Sequence, residues 1–266
     1  MSQDFARVGA AAAQVPGSAG AVVTRPDGEL LYALRPDEPF PAASVIKLPL
    51  VMALHAEAAA GRLDLAERVG PGAPVDGTGV LRDLRDVGPL SLRDLATLAI
   101  AVSDNTATNR LIERLGIETV NGRLDAWGCP RTRLRRRMYD LDAAARGLEN
   151  VVTPREAAAL LRRLLAGECG GRAASDAVLA LLERCQDGSL LGRFLPDGTR
   201  LAHKTGLLAR SRNDAGIVFG ERPVVAVGFV RETGEVGRAA DWLGLLVVVA
   251  LRLAGSEVAL PRTFGA

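Results

Sequence analysis

A serine and a lysine lie one helical turn apart at Ser44-x-x-Lys47. Apolar residues recur at helical spacing over residues 45–61, which predicts a helix beginning at this serine. Residues three apart share a helix face, and a partly desolvated lysine can lose its proton and activate a neighbouring hydroxyl. The pattern therefore indicates nucleophilic catalysis. A capping serine followed by a solvated lysine is the commoner use of such a tetrapeptide when it stands alone.

Two further polar motifs follow at Ser103-Asp104-Asn105 and at Lys204-Thr205-Gly206. The first begins 59 residues after Ser44, and the second begins 101 residues after Ser103. Taken alone, the first motif is also typical of a helix cap or a turn. The second is also compatible with an exposed strand, and it is not a phosphate loop because His203, not glycine, precedes the lysine.

The three motifs in this order resemble those of class A serine β-lactamases and of the wider penicillin-binding-protein-like serine hydrolases. Two more stretches are similar to that family, namely Arg212-Asn213-Asp214 and Val152-Thr153-Pro154. The resemblance covers about residues 10–260. Each motif alone is a common tetrapeptide or tripeptide, whereas all of them in this order are specific.

The resemblance implies a role for each motif residue. Ser44 would be the acylated nucleophile, Lys47 would take its proton, and Ser103 would relay a proton to the leaving nitrogen. The backbone N–H groups of Ser44 and Leu207 would form the oxyanion hole. The resemblance implies a second set of residues that bind the substrate: Asn105, Lys204, Thr205, Gly206 and Arg212. No metal and no cofactor is expected.

One stretch departs from the family's pattern. Class A enzymes carry a glutamate on their omega loop, where it activates the water that hydrolyses the acyl-enzyme. Placing residues 132–134 at the start of that loop puts Met138 where the glutamate belongs. Asp140 or Asp142 could substitute after a shift of the loop, although aspartate is one methylene shorter. Glu149 is interpreted as an anchor for the closing end of the loop.

These observations predict a serine hydrolase that forms an acyl-enzyme on Ser44 with β-lactams or related amides and esters, and that deacylates weakly. The expected partner is a small-molecule substrate. A competent β-lactamase that uses Asp140 or Asp142 is the first alternative. A non-catalytic module that binds a β-lactam or a peptidoglycan fragment is the second, although Lys47 and Ser103 argue against it.

The strand and helix patterns predict an α/β (α+β) fold of the β-lactamase/transpeptidase type. Strands are predicted at residues 20–24, 30–34, 200–207, 214–219 and 224–231. They would form one five-stranded antiparallel sheet from both chain ends, flanked by terminal helices. Residues 1–40 and 195–266 would make this sheet lobe, and residues 41–194 an inserted helical lobe. The active site is expected in the cleft between the lobes.

Helix signals fill the remaining chain. Capping residues start helices at Ser91 and Thr153, and Gly116 stops another. The predicted helices span residues 1–13, 45–61, 92–102, 106–115, 154–165, 176–185 and 241–254. The longest apolar run, residues 242–251, is too short to span a bilayer and predicts a buried helix.

Composition excludes several classes of function. The 266 residues carry a formal net charge of +2, so neither nucleic acid nor an anionic membrane is expected as a partner. The arginine-rich segment 131–137 predicts a solvated or salt-bridged loop. The start of the sequence lacks the pattern of a signal peptide, which predicts a cytoplasmic protein, or a periplasmic or secreted one if the sequence has been trimmed.

The cysteines and histidines are too few and too scattered to suggest another chemistry. Cys129, Cys169 and Cys185 are far apart and predict buried free thiols without a zinc site. The two histidines, His55 and His203, do not predict a Ser-His-Asp triad. In a strand, the side chain of His203 should point away from that of Lys204.

Overall fold

The computed structural model describes residues 3–261 as nine α-helices and nine strands. The helices are α1 (Gln3–Ala13), α2 (Lys47–Ala59), α3 (Leu92–Ala101), α4 (Asn105–Leu115), α5 (Ile117–Ala126), α6 (Leu141–Ala145), α7 (Pro154–Ala166), α8 (Arg172–Leu182) and α9 (Val236–Leu253). The strands are β1 (Ser18–Thr24), β2 (Leu30–Leu34), β3 (Phe40–Pro41), β4 (Arg68–Val69), β5 (Leu90–Ser91), β6 (Val151–Val152), β7 (Arg200–Leu208), β8 (Ser211–Phe219) and β9 (Val224–Arg231).

The central sheet has five strands in the order β2-β1-β9-β8-β7, and each neighbouring pair is antiparallel. The two ends of the chain meet in the middle of the sheet, where β1 pairs with β9 and Ser18 lies opposite Arg231. The predicted five-stranded antiparallel sheet built from both chain ends is therefore confirmed. The strand β7 forms one edge, and it carries the Lys204 motif.

Helices cover both faces of the sheet. On one face α1 and α9 bury an apolar layer that includes Phe5 and Trp242, and the indole N–H of Trp242 donates to the carbonyl of Val8 at 3.2 Å. Phe5 also stacks on Tyr32 of β2 with ring centroids 4.9 Å apart. The terminal helices thus seal one side of the sheet, as the sequence predicts.

The other face of the sheet shares a core with the helices of residues 41–194. The helix α2 lies at the centre of this core, and its residues from Lys47 to Glu57 are all buried. A helix that is apolar all round is expected to be enclosed by other elements. One apolar core contains residues from both sides of the predicted lobe boundaries at residues 40 and 194. The division into a sheet lobe and a helical lobe stays a prediction.

Capping chemistry explains where several helices begin. The hydroxyl of Ser91 accepts the N–H of Asp94 at 3.1 Å at the start of α3, and Thr153 accepts the N–H of Glu156 at the start of α7. Substituting such caps by alanine typically costs about 1 kcal/mol. Both helix starts agree with the sequence prediction.

Other boundaries differ from the prediction. The prediction omits α5 and α6 altogether. Gly116 ends α4 as predicted but also begins α5, and its φ of 81° lies in the left-handed region that glycine readily adopts. The apolar run of residues 242–251 lies within α9, as predicted. Among residues 3–261, each helix falls short of the combined length and apolarity that a membrane crossing requires.

Candidate active site

A cavity of 690 Å³ opens beside the edge strand β7. The predicted site residues that line it come from three separate segments of the chain: Ser44, Ser103, Asn105, Lys204, Thr205, Leu207 and Arg212. The fold thus brings the three motifs to one concave surface. Lys47 and Gly206 lie behind this wall and support it.

Ser44 lies in a 3-10 turn, Ala43–Ile46, that leads directly into α2. The helix was predicted to begin at Ser44, but the regular α-helix begins at Lys47. Ala43 has a φ of 48°, a left-handed conformation that a residue with a side chain rarely adopts. Such strain is typical of functional sites and holds the half-buried Ser44 at the cavity wall.

The strand β7 packs closely against the turn that carries Ser44. A Cβ atom built on Gly206 would lie 2.9 Å from the carbonyl oxygen of Ala42 and 3.0 Å from the backbone nitrogen of Val45. Only glycine permits this approach of two backbones. Gly206 therefore sets the distance between the Ser44 turn and the strand that carries Lys204 and Thr205.

Lys47 is fully buried and connects α2 with the Ser103 motif. Its Nζ atom donates to the carbonyl oxygen of Ser103 at 2.6 Å and to Oδ1 of Asn105 at 2.8 Å. It also lies 3.1 Å from the hydroxyl oxygen of Ser103. The amine and the two polar side chains of the second motif thus form one hydrogen-bonded group.

The environment of Lys47 favours the neutral amine. Burial is the largest effect and lowers the pKa of Lys47 well below its ordinary value, the positive charge of Lys204 lowers it further, and Asp104 opposes both. A neutral amine has a lone pair that accepts a proton from a hydroxyl. Lys47 is thus suited to act as a base.

The second motif is held by its central residue. Asp104 is 1% exposed, begins α4 and accepts the N–H groups of Val80, Leu81 and Ala107 at 2.7, 2.7 and 2.9 Å. Ser103, which precedes it, has a φ of 55°. Asp104 therefore fixes the strained backbone that presents Ser103 to the cavity.

Asn105 divides its amide between Lys47 and the backbone. Its Nδ2 atom donates to the carbonyl of Asp76 at 2.7 Å, while Oδ1 accepts from Lys47. A primary amide carries two N–H donors. One donor of Asn105 is therefore engaged with Asp76, and the other can address a substrate.

Lys204 and Thr205 are buried on β7 and lie beside an acid that the sequence did not single out. Burial lowers the pKa of Lys204, while Cys185, Asp214 and Asp187 oppose that effect. The Asp187 carboxylate lies near Thr205, which helps to lower the pKa of Asp187, and it also lines the cavity. The group presents a hydroxyl and a cation, with Asp187 as a competing anion.

Arg212 lies opposite Leu207 in the β7-β8 ladder and lines the same cavity. Its Nη1 atom donates to the carbonyls of Leu208 and Ser211 at 2.8 and 2.7 Å. These bonds hold the guanidinium at the cavity edge. Arg212 thus adds a second cation to the side of the cavity that holds Lys204.

Comparison with known proteins matches this chain to a family. A model of the beta-lactamase enzyme family matches residues 2–246. The chain belongs to the beta-lactamase enzyme family. It is 32% identical to a beta-lactamase of Rhodobacter capsulatus over 240 residues, which cover 83% of this chain and 79% of the relative.

Solved structures agree with this assignment to a family of hydrolases. The chain is similar to a beta-lactamase from Sphaerobacter thermophilus DSM 20745, at 33% identity and a TM-score of 0.85, over 95% of this chain and 97% of the other. It is also similar to a variant of PBP-A solved as an acyl-enzyme complex with penicillin G, at 27% identity and a TM-score of 0.84, over 95% and 96% of the two chains. The predicted resemblance and fold class are therefore confirmed.

The departure from the family's pattern at Met138 lies on the cavity wall. Met138 lines the cavity, and both its backbone groups bind one side chain of α4. Asn109 accepts the N–H of Met138 at 2.7 Å and donates to its carbonyl at 3.1 Å. This pair of bonds fixes the loop register at Met138, so the side chain facing the cavity there is a thioether.

The acids that follow Met138 are engaged elsewhere. Asp140 caps α6 by accepting the N–H of Ala143 at 2.9 Å, and Asp142 is exposed within that helix. Neither is among the residues that line the cavity. Glu149 does line it, and its Oε1 atom accepts from Arg136 and from the backbone of Asn150, at 2.7 and 2.9 Å.

The arginine-rich segment forms ion pairs that hold this loop in place. Arg133 pairs with Asp125, Arg136 with Glu149 at 2.7 Å, and Arg137 with Glu113 at 2.7 Å. The predicted salt-bridged loop is confirmed. The pair formed by Arg136 and Glu149 is consistent with the predicted role of Glu149 as an anchor.

Three residues of the site were not predicted from the sequence. Asn109 follows Asn105 by one helical turn, and this spacing could have indicated it. Asp187 and Cys185 lie in the segment after α8, which carries no motif. The prediction of a buried thiol is correct for Cys129 and Cys169 but wrong for Cys185, which is half-buried and lines the cavity. Because α8 ends at Leu182, Cys185 stands outside the helix predicted to contain it.

Proposed function

We propose that this chain is a serine hydrolase that forms an acyl-enzyme on Ser44 with β-lactams or related amides and esters, and that it deacylates slowly. The observation that carries the proposal is the hydrogen-bonded group of Lys47, Ser103 and Asn105 at the wall of the Ser44 cavity, with Met138 also lining the cavity.

The acylation step depends on transfer of a proton from the Ser44 hydroxyl to the Lys47 amine. The neutral amine of Lys47 takes the proton of the Ser44 hydroxyl as its oxygen attacks the substrate carbonyl. The backbone N–H groups of Ser44 and Leu207 stabilise the negative oxygen that develops, and each such donor typically contributes about 3–4 kcal/mol. Ser103, 3.1 Å from the Lys47 amine, passes the proton to the leaving nitrogen.

Substrate recognition rests on the cations and the amide of the cavity. Lys204, Thr205 and Arg212 favour a substrate with a carboxylate. The second N–H of Asn105 suits the amide of an acyl side chain. Gly206 contributes by letting β7 approach the Ser44 turn, so its part in substrate binding is indirect.

Slow deacylation follows from the groups that face the ester. A thioether is a weak hydrogen-bond acceptor and does not act as a general base. General bases typically contribute about 10²–10⁴-fold to such steps. Asp140 and Asp142 are less suited to that role, because one caps a helix and the other is exposed. The capture of a similar protein, PBP-A, as a penicillin G acyl-enzyme supports the acylation step.

Intact-mass spectrometry after mixing with penicillin G tests both steps. We expect a stoichiometric adduct on the wild-type chain that persists after excess penicillin is removed, and no adduct on Ser44→Ala. A chromogenic cephalosporin should give a single burst. Steady turnover lost in Asp140→Asn or Asp142→Asn would instead support a competent β-lactamase. Reversible binding that survives Ser44→Ala would support a non-catalytic module.

A further inference from the structure

Cys185 lies in a fixed position on the wall of the cavity that contains Ser44. It follows the end of α8, and the next residue, Gln186, donates its N–H to the carbonyl of Ala101 at 3.0 Å. This bond joins the segment to the end of α3, close to the Ser103 motif. The thiol is half-buried, so a small solute that enters the cavity can reach it.

The neighbour of this thiol is a histidine, and the histidine is in turn paired with an aspartate. The thiol of Cys185 and the imidazole of His203 are close enough for each to shift the pKa of the other. Nδ1 of His203 lies 3.1 Å from both carboxylate oxygens of Asp214. The two residues are 2% and 0% exposed, and Asp214 also accepts the N–H of Leu191 at 3.1 Å. The carboxylate is therefore fixed, and it orients the ring toward the thiol.

This arrangement favours an imidazolium beside a thiolate. Burial alone would lower the pKa of His203, but Asp214 and Cys185 raise it to about 10. Burial alone would raise the pKa of Cys185, but the neighbouring His203 and the charge of Lys204 hold it below its ordinary value. A thiolate is the reactive form of cysteine.

The other two cysteines differ in each of these respects. Cys129 and Cys169 are completely buried, and their thiols lie against backbone carbonyls. Burial raises the pKa of both thiols to about 12. They serve as internal controls, because all three thiols are measured in the same folded molecule.

A metal site is the other use of a cysteine, a histidine and an aspartate in contact. The part of the chain that the structure describes holds no group of three such side chains placed to bind a metal ion. Cys185 instead has the surroundings that are typical of reactive thiols. It lines a cavity, it has His203 and Asp214 beside it, and Lys204 is nearby.

We propose that Cys185 is a thiol-modification site that takes up low-molecular-weight disulfides and, once modified, prevents acylation of Ser44. The modification itself is independent of the proposed function, whereas its effect on Ser44 rests on it. The thiolate sulfur attacks one sulfur of the disulfide, the new S–S bond forms as the old one breaks, and the departing thiolate takes a proton from water. One half of the reagent is thereby reduced, and Cys185 is oxidised to a mixed disulfide.

The attached group would lie in the substrate cavity. Cys185 and Lys204 line the same cavity, so a carboxylate carried by the group can pair with the ammonium that the substrate carboxylate would use. The adduct both fills space and removes a binding cation. Reduction by dithiothreitol restores the thiol and the cavity.

The test uses dithiodiglycolate, a small dianionic disulfide, with intact-mass measurement and peptide mapping at neutral pH. We expect one adduct, on Cys185, forming on the order of 100-fold faster than on Cys129 or Cys169, because the thiolate fraction outweighs the loss of nucleophilicity at low pKa. His203→Gln should slow the adduct about tenfold. Equal rates at the three cysteines would refute the proposal, and so would an unchanged rate in a folded His203→Gln variant.

The effect on Ser44 is measured separately. We expect the modified wild-type chain to lose penicillin G acylation and to regain it after dithiothreitol, while the acylation rate of Cys185→Ala is the same with and without the reagent. Undiminished acylation of the modified chain would overturn the blocking step. Adduct formation is also followed on Ser44→Ala, so failure of the proposed acylation is distinguished from failure of the modification.

Discussion

Gly206→Ala tests whether close packing of β7 on the Ser44 turn controls acylation. The new Cβ would lie 2.9 Å from the Ala42 oxygen, whereas ordinary contacts begin at 3.4 Å, so the strand and the turn must separate by about 0.5 Å. Neither neighbour is the flexible end of a side chain. A misplacement of about 1 Å can cost roughly 10²-fold in rate, so half of that predicts a loss of about tenfold.

The assay is the second-order rate of adduct formation with penicillin G, followed by intact mass, alongside thermal unfolding. We expect acylation to be about tenfold slower and the melting temperature to fall by several degrees, since overpacking typically costs about 1–3 kcal/mol. Gly122→Ala is the matched control, because a Cβ there meets nothing within 4 Å. An acylation rate for Gly206→Ala within twofold of the wild type would refute the reasoning.

Three other predictions concern the chemistry and the stability of the site. The pKa of Lys47 is held well below its ordinary value of about 10.4, so the acylation rate should level off well below about pH 10 and fall in acid, and Lys47→Arg should abolish it throughout; a rate that climbs steadily to about pH 10 would contradict this. Met138→Glu should convert the persistent adduct into turnover, about 10²-fold or more in deacylation rate by stopped-flow, whereas the uncharged control Met138→Gln should not. Asp104→Ala leaves three backbone N–H groups without their acceptor, two of them buried, and should lower the free energy of unfolding by about 3 kcal/mol in a urea titration; a loss under 1 kcal/mol would show that other acceptors replace it.

The motifs of the candidate active site were predictable because the chemistry proposed for them fixes residue types and local spacing. Ser44 and Lys47 must lie one turn apart, and the strands of the sheet are short apolar runs bounded by turn residues. The cap at Thr153 followed by Pro154 likewise leaves few alternatives for the start of α7. Local rules therefore suffice for these elements.

Features that depend on packing between distant segments were not predictable. Side chains alternate along a strand, so the sequence alone predicts that His203 points away from Lys204. This local rule does not reveal that Cys185, after the end of α8, lies near the imidazole of His203. The contribution of Asp187 beside Thr205 depends on the same segment. The helix α5 was missed because Gly116 both ends one helix and begins the next, so no loop separates them.

The pairing of β1 with β9 has a consequence for how the protein is made. Residues about 200 positions apart, such as Ser18 and Arg231, are neighbours in the sheet, and such non-local contacts slow folding. A ribosome-bound chain that has emerged only as far as α7 carries Ser44, Lys47 and Ser103 but not Lys204. The proposed nucleophile is therefore synthesised long before β7, the strand that completes its cavity, and the cavity can form only after β7 has emerged.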